Sequence, residues 1–301
     1  MNILITGADG FVGRELGLYL HHNTNNNLYA LIRNSNFKYN YIYSKVYKKN
    51  FLEINDWKKI LSKVDIVIHL ISKQHNKQFK SKIEVDLYEQ ATKFFFISCK
   101  ELRIKKIIYI SSLKVMGEFN YKNKPFKILD EPNPSDQYSI SKLKVEKIIA
   151  NIFKESNTKY SIIRSPLVYG INNKGILKYL DIIIRYQIPI PTKKLDSKKS
   201  VISLINLVDF IKFILTSDYF DNKITFVGDQ KDYKIEDLIK KISKYQNKKA
   251  PFQFSLNFFI NSKIFKFLNK KLYYKFNKSF QFERDNFYIN SQWNNSKKND
   301  L

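Results

Sequence analysis

The first residues of the chain combine a short apolar run with three regularly spaced glycines. Ile3–Ile5 form the run, and Gly7, Gly10 and Gly13 follow in the pattern G-x-x-G-x-x-G. This order predicts a strand, a tight turn and the start of a helix. Such a turn presents backbone N–H groups at the positive end of a helix dipole, where a pyrophosphate binds well. Glycine triplets match many turns, but this position after the first apolar run favours a phosphate-binding turn.

Strand-like apolar runs alternate with helix-compatible segments along most of the chain. The alternation predicts an α/β fold with a doubly wound parallel sheet, covered by helices on both faces. The runs are Ile3–Ile5, Leu28–Ile32, Ile66–Leu70, Ile107–Ile110, Ser161–Ile163 and Ile224–Val227, and the helical segments include Trp57–Leu61, Asp86–Cys99 and Ser139–Phe153.

Two segments interrupt this alternation with prolines and irregular polar stretches. We therefore expect one sheet domain in residues 1–170, continued by 201–227, and a smaller substrate-binding lobe in 171–200 and 228–301.

Two features near the C-terminus are interpreted separately. A stripe of Phe and Leu over residues 258–268, with lysines beside it, suits either a lid on the substrate lobe or a helix on a membrane surface, and the lid is favoured. The polar tail from Asn290 is expected to fray.

Composition limits the classes of protein that the chain could be. Cys99 is its single cysteine, so no internal disulfide can form, and a reducing compartment, the cytoplasm, is expected. Because the first predicted strand begins at residue 3, no signal peptide is expected, and no apolar run reaches the ~20 residues of a membrane span. The four histidines show no metal-ligand spacing, so no metal site is expected.

The net charge of +26 has two interpretations. A focused basic patch would indicate nucleic acid or an anionic membrane. Here, however, only six of the 53 basic residues are Arg, the lysines are dispersed, and Asn, Ile, Phe and Tyr are also abundant. This composition favours a biased codon usage and a solvated basic surface, so no nucleic-acid partner is expected.

Tyr138 and Lys142 stand four residues apart near a predicted helix start, which puts both on one helical face. A free tyrosine has a pKa near ~10, too high for a base at neutral pH, and a neighbouring ammonium together with the positive charge of an oxidised nicotinamide would lower it. Upstream, a buried run ends in Ser111 and Ser112, and open α/β sheets place their ligands at such strand ends. Either serine alone would be interpreted as a helix cap.

Together, these motifs resemble a known family. The chain resembles the extended short-chain dehydrogenases/reductases, specifically the NAD-dependent epimerase/dehydratase group that modifies nucleotide sugars, and its branch of UDP-hexose 4-epimerases in particular. The matching segments occur in order and with the family's spacing at Thr6–Gly13, Ile68–Ser72, Tyr109–Gly117, Tyr138 with Lys142, and Arg164–Gly170.

The resemblance implies an NAD(P)-binding Rossmann domain and a role for each matching residue. Ser112, Tyr138 and Lys142 would be catalytic, with Tyr138 and Lys142 also touching the cofactor, and Ser111, Ser112 and Lys199 would contact substrate, Lys199 at the diphosphate. The remaining implied cofactor contacts are Gly7, Gly10, Phe11, Val12 and Gly13 at the pyrophosphate, and Leu70, Ile71, Ser72, Pro166 and Val168 nearer the nicotinamide.

Two departures from the family pattern affect the choice of cofactor. The second strand is followed by Arg33 where relatives carry an acid for the ribose hydroxyls, and an Arg better suits a 2′-phosphate. Asn50 and Phe51 replace the acidic pair that normally touches the adenine. The expected cofactor is therefore NAD or NADP.

Two activities share the implied machinery, and both act on a nucleotide-sugar substrate. A 4-epimerase would remove and return hydride at C4 of a UDP-hexose or UDP-N-acetylhexosamine, whereas a 4-keto reductase would deliver hydride once from NADPH to a nucleotide-activated deoxysugar. A dehydratase is disfavoured because Leu113 and Lys114 stand where those relatives carry an Asp-Glu pair. An alternative of another class is a catalytically retired nucleotide- or RNA-binding protein, and a homodimer is left open as the assembly.

Overall fold

A computed structural model describes residues 1–33, 37–72, 82–170, 176–190, 192, 195–255, 278–284 and 293 of the chain. Its main element is a seven-stranded sheet in which every pair of neighbours is parallel, in the order β10-β6-β5-β4-β1-β2-β3. The strands are β1 (Asn2–Thr6), β2 (Asn27–Ile32), β3 (Lys45–Lys48), β4 (Ile66–His69), β5 (Lys106–Ser112), β6 (Lys159–Ser165) and β10 (Lys223–Phe226).

Helices cover both faces of this sheet, as the sequence predicts. α1 packs against α6, and α3 packs against α4. The helices are α1 (Phe11–Asn23), α2 (Lys58–Leu61), α3 (Lys82–Glu101), α4 (Gln137–Phe153), α5 (Ile176–Arg185), α6 (Leu204–Thr216) and α7 (Ile235–Tyr245).

The two faces of the sheet have separate hydrophobic cores because side chains alternate along each strand. In β1, Ile3 and Ile5 belong to the core that includes α1 and α6, whereas Leu4 belongs to the core that includes α3 and α4. In β5, Ile108 and Tyr109 divide in the same way. Burial on both faces is what makes these strands continuous apolar runs.

All six predicted strands of the main sheet are present, and the sheet has one strand that was not predicted. This additional strand, β3, lies at the sheet edge and pairs only with β2 among the described strands. The order in which strands are added reverses between β1 and β4: β2 and β3 lie on one side of β1, and the later strands lie on the other. Ligands of open α/β sheets bind outside the carboxyl ends of the strands at such a switch point.

The segments predicted as a smaller lobe contain regular structure as well as loops. Two short pairs lie outside the main sheet: β8 (Lys198–Lys199) is antiparallel to β11 (Tyr233–Lys234), and β7 (Leu167–Tyr169) is parallel to β9 (Val201–Ser203). α5 and α7 pack through a small cluster that includes Ile184, Leu238 and Ile242. The division of the chain into two lobes stays a prediction.

The expected fraying of the tail from Asn290 is wrong at Trp293. This side chain is buried, packs on Phe210 at 4.8 Å between ring centroids, and donates a hydrogen bond from Nε1 to Asp209 at 3.1 Å. The predicted lid at residues 258–268 lies outside the described residues. Within the described ranges, no helix has the length and apolarity needed to cross a membrane.

Candidate active site

The glycine turn after β1 has the geometry that a dinucleotide pyrophosphate requires. Gly7 has a φ of +75°, a conformation that side-chain-bearing residues rarely adopt, and its N–H donates to Leu31 O at 2.8 Å. A Cβ on Gly13 would overlap Gly7 O and lie 2.7 Å from Ala8 Cα, so only glycine permits this close packing of α1 on the turn. Gly10 caps α1 without a side-chain hydrogen bond. The first N–H groups of α1 therefore fit a bound pyrophosphate, and we accept a dinucleotide as the ligand of this turn.

Two of the residues predicted to be catalytic, Ser112 and Tyr138, meet at the carboxyl ends of β4 and β5. β5 ends at Ser112, and α4 begins at Gln137, so Tyr138 lies in its first turn. The hydroxyl of Tyr138 is hydrogen-bonded to the hydroxyls of Ser112 and Ser72. Ser72, which sequence assigns to the cofactor, thus also contacts the predicted acid/base.

Burial is the main influence of the protein on the pKa of Tyr138. Burial raises the pKa of Tyr138 to about 12, and the hydrogen bonds from Ser112 and Ser72 act in the opposite direction. Lys142 donates instead to Ile110 O at 2.7 Å, and its ammonium lies 4.7 Å from the ring centroid of Tyr109. Within the protein itself, desolvation of the phenol dominates, and the predicted lowering by Lys142 together with an oxidised nicotinamide stays a prediction.

Lys142 is itself strongly affected by burial. Desolvation lowers its pKa to about 7, and the negative charge of Glu146 opposes this shift. Glu146 follows Lys142 by one helical turn on the same face of α4. An acid among the buried positions of α4, one turn after Lys142, was the available sequence signal for Glu146, which was not among the predicted site residues.

Ser111 lies on the opposite face of β5 from Ser112 and joins a buried polar network. Its hydroxyl donates to Glu146, which also accepts two-pronged hydrogen bonds from Arg164, including one from Nη2 at 2.7 Å. All three side chains are buried. This geometry does not favour the predicted contact of Ser111 with substrate, because successive residues of a strand point to opposite faces.

The two residues predicted to touch the adenine differ in position. Phe51 is only 5% exposed and packs among aromatic rings, at 5.4 Å from both Trp57 and His69. Asn50 caps a short 3-10 helix and bonds to Glu53 at 2.6 Å. The Phe51 ring belongs to the hydrophobic core, so this geometry does not favour the predicted contact of its side chain with the adenine. Arg33, in contrast, is exposed directly after β2.

The other predicted cofactor residues line the same carboxyl edge of the sheet. Ile71 follows β4 and lies against the glycine turn, since a Cβ on Gly7 would be 3.2 Å from its Cγ1. Phe11 reaches towards Gly170, where an added Cβ would be 3.5 Å from its Cζ. Leu70, Val12 and Val168 are partly buried against the core on the α1 face, and Pro166 stands between β6 and β7.

Lys199 lies on β8, outside the main sheet. Its ammonium donates to the carbonyl of Lys278, and burial lowers the pKa of Lys199 to about 8. The segment 278–284 runs beside β8, and its Arg284 binds Asp232 at 2.6 Å. Sequence alone gave no signal for this segment. Among the described residues, no group of three His, Cys, Asp or Glu side chains could hold a metal ion.

The sheet order, the glycine turn and the Ser112–Tyr138–Lys142 cluster define a Rossmann-like α/β protein of the short-chain dehydrogenase/reductase type. A model of the NAD dependent epimerase/dehydratase family matches residues 3–215 of the 301, and the chain belongs to this family.

Individual relatives are more distant. UDP-glucose 4-epimerase from Vibrio cholerae is 28% identical over 247 residues, which cover 80% of this chain and 75% of that protein. dTDP-4-dehydro-6-deoxyglucose reductase from Escherichia coli is 29% identical over 227 residues, which cover 70% of this chain and 71% of that protein. Among solved structures, UDP-N-acetylglucosamine 4-epimerase from Methanobrevibacter ruminantium M1 has a TM-score of 0.74 at 20% identity, covering 97% of this chain and 92% of that one. At 20% identity, this likeness shows that the two proteins share a fold.

Proposed function

We propose that this chain is a nucleotide-sugar 4-epimerase acting on a UDP-hexose or UDP-N-acetylhexosamine. The observation that supports this most is the hydroxyl of half-buried Tyr138, bonded to Ser112 and Ser72 at the carboxyl ends of β5 and β4. A titratable hydroxyl at the edge of a dinucleotide site suits proton transfer to and from a sugar hydroxyl. UDP-glucose 4-epimerase from Vibrio cholerae is similar over most of both chains.

The residues of the chain would divide the reaction between them. A bound nicotinamide would supply the acceptor and donor of hydride at C4. Tyr138, once ionised, takes the proton of the C4 hydroxyl and later returns it, so it ends each turnover unchanged. Ser112 would hold the reacting oxygen, and Lys142 would hold the cofactor ribose. Because Tyr138 needs activation from a pKa of about 12, the positive charge of an oxidised nicotinamide would favour its phenolate.

The chemistry of a dehydratase has less support in this site. Lys114 occupies the second position after Ser112, and its ammonium forms an ion pair with Asp136. Neither Leu113 nor Lys114 carries the carboxyl group that would act as acid and base in the elimination of water. Epimerisation requires the hydride transfers at C4 and the proton transfer of Tyr138, and it needs no further acid or base for elimination.

The direct test is conversion of UDP-glucose and UDP-N-acetylglucosamine by the purified protein with NAD. Tyr138→Phe should lower turnover by at least ~100-fold while NAD binding survives, because a general acid–base group contributes about that much. Near-normal turnover by this variant would remove Tyr138 from the role assigned to it. A chain that converts neither sugar would contradict the proposed substrates.

A 4-keto reductase using NADPH is the second candidate, and exposed Arg33 is the observation that favours it. Arg33 directly follows β2, where a guanidinium can bind a 2′-phosphate. Arg33→Asp should therefore weaken binding of NADPH far more than binding of NADH, because an attraction becomes a repulsion.

Lys63→Asp is the matched control, since it makes the same charge change at an exposed site before β4, at the opposite edge of the sheet. Both affinities should be unchanged in this control when followed by fluorescence titration. Equal weakening of the two cofactors by Arg33→Asp would mean that Arg33 does not select the phosphate, and tightly retained NAD in the purified protein would favour the epimerase.

A further inference from the structure

An ion pair connects the two segments that carry Ser112 and Tyr138. Lys114 follows Ser112 by two residues, Asp136 precedes Tyr138 by two residues, and the Lys114 ammonium contacts Asp136 Oδ2. The pair joins the end of β5 to the start of α4 across more than twenty residues of intervening chain. Both side chains are partly buried, so solvent screens the pair only in part.

Each member of the pair is also tied to the backbone near a catalytic side chain. Asp136 is the N-cap of α4, and its Oδ1 accepts from Ser139 N at 2.8 Å in a reciprocal capping box. Lys114 N donates to the Ser112 hydroxyl at 3.2 Å. Movement of the pair would therefore move the start of α4 relative to Ser112.

We propose that Lys114 is a positioning residue for the epimerase-family reaction: it fixes the start of α4 against the end of β5 and cancels the charge of Asp136 beside Tyr138. This proposal rests on the proposed role of Tyr138 as acid/base. It adds a residue to the site that acts through Asp136 and does not touch the sugar or the nicotinamide.

The electrostatics of the site give the pair a function beyond holding the helix. Although burial alone would raise the pKa of Asp136, hydrogen bonds from Lys114 and Ser139 outweigh it and lower the pKa to about 2. Asp136 is therefore a carboxylate at every working pH, and its charge raises the pKa of Tyr138. The titratable groups around Tyr138 are Tyr88 of α3, Tyr109 of β5, and Asp136 and Lys142 of α4, with Lys114 behind Asp136.

Two single variants should shift Tyr138 in opposite directions. Lys114→Gln leaves the Asp136 carboxylate without its partner ammonium, so the pKa of Tyr138 should rise by about half a pH unit to one pH unit. Asp136→Asn keeps a good N-cap and leaves the Lys114 cation alone, so the pKa should fall by a similar amount. The double variant removes both charges, and the pKa should return close to the wild-type value.

The measurement has one readout that depends on activity and one that does not. The first is the limb of the pH–rate profile that reports Tyr138, with UDP-glucose as substrate. The second is the titration of Tyr138 in protein isotope-labelled at tyrosine Cζ, observed by NMR, where its resonance is identified by its loss in Tyr138→Phe. A chain without turnover on UDP-glucose would contradict the proposed function, and the NMR titration would still decide the role of the pair.

Lys114→Arg is the conservative rescue, because it keeps the positive charge, and it should restore the wild-type Tyr138 titration. A purely structural pair would behave differently: both single variants would lower stability and rate at every pH, with the Tyr138 titration unmoved. Shifts of the same sign in Lys114→Gln and Asp136→Asn, or no shift in either, would overturn the proposal.

Discussion

Three buried charged side chains lie next to one another near the carboxyl end of β5, the strand that ends at Ser112. Lys142 and Glu146 lie one helical turn apart on α4. Arg164 of β6 donates to the Glu146 carboxylate through Nε and Nη2. Their side chains are at most 4% exposed. Two cations share one carboxylate, so Glu146 serves both the packing of β6 and the protonation of Lys142.

Removing the charge of Glu146 should have two separable effects. Glu146→Gln should lower the pKa of Lys142 below its value of about 7, because the carboxylate that opposes its desolvation is neutralised. Less of Lys142 would then be an ammonium at neutral pH, and the titration of its labelled Cε by NMR would shift to lower pH. The free energy of unfolding should fall by about 3–5 kcal/mol, because Arg164 is left buried without its partner.

Ser111→Ala is the matched control for this residue-scale prediction. It removes one hydrogen bond to Glu146 and leaves every charge in place. Urea unfolding should show a loss of about 1 kcal/mol, and the Lys142 titration should stay where it is. An unshifted Lys142 titration in Glu146→Gln would mean that this carboxylate only packs against Arg164.

At the scale of elements, the junction of β1 and α1 sets how closely a phosphate can approach. Gly13 lies in the first turn of α1, directly over Gly7 O and Ala8. Gly13→Ala should force α1 away from the turn, destabilise the fold by about 1–3 kcal/mol and weaken NAD binding. Thermal unfolding and fluorescence titration with NAD measure the two effects.

His22→Ala is the control within the same helix, because His22 is exposed in the last turn of α1. It should change neither property by more than a small amount. Normal NAD affinity in Gly13→Ala would show that the pyrophosphate does not depend on this close contact.

Elements buried on both faces were predictable from the sequence, whereas edge elements were not. β1 and β5 appear as continuous apolar runs because both of their faces are covered. β3 escaped prediction because Lys45–Lys48 is short, half polar and at the sheet edge. The sequence contains a signal for α7, since Ile235, Leu238 and Ile242 follow helical spacing. The irregular polar segments on either side obscured this pattern.

The site divides in the same way between local and long-range information. The Tyr138–Lys142 spacing and the strand end at Ser112 are local patterns, and the structure brings Tyr138 and Ser112 into contact. Strand alternation could also have separated Ser111 from Ser112. The burial of Phe51 could not be predicted, because its ring packs on residues distant in sequence, such as Phe95.

At the scale of the whole molecule, the late segment 278–284 ties together parts of the chain that are far apart. Asn120 N donates to Ser279 O, and Ser200 N donates to Phe280 O, both at 2.9 Å. The segment thereby connects the loop after β5 with β8, and it places Lys278 beside Lys199. This arrangement gives one lysine, out of a chain with net charge +26, a defined partner and a partly buried position.

Lys199 is the residue at which a local action of that positive charge on the substrate can be tested. Lys199 has a pKa of about 8, so it is an ammonium at neutral pH and loses its charge as the pH rises through that value. If it binds the diphosphate, Lys199→Ala should raise the KM for UDP-glucose with little effect on NAD affinity, because the contact exists in ground and transition states alike. The wild-type KM should rise above about pH 8, and the variant should lack that rise. The KM of the variant should also depend less on salt, since a screened contact is gone.

Lys198→Ala, at the exposed neighbour on β8, should leave the KM and its salt dependence unchanged. An unchanged KM and salt dependence in Lys199→Ala would refute its assignment to the diphosphate and leave the roles of Ser112, Tyr138 and Lys142 intact.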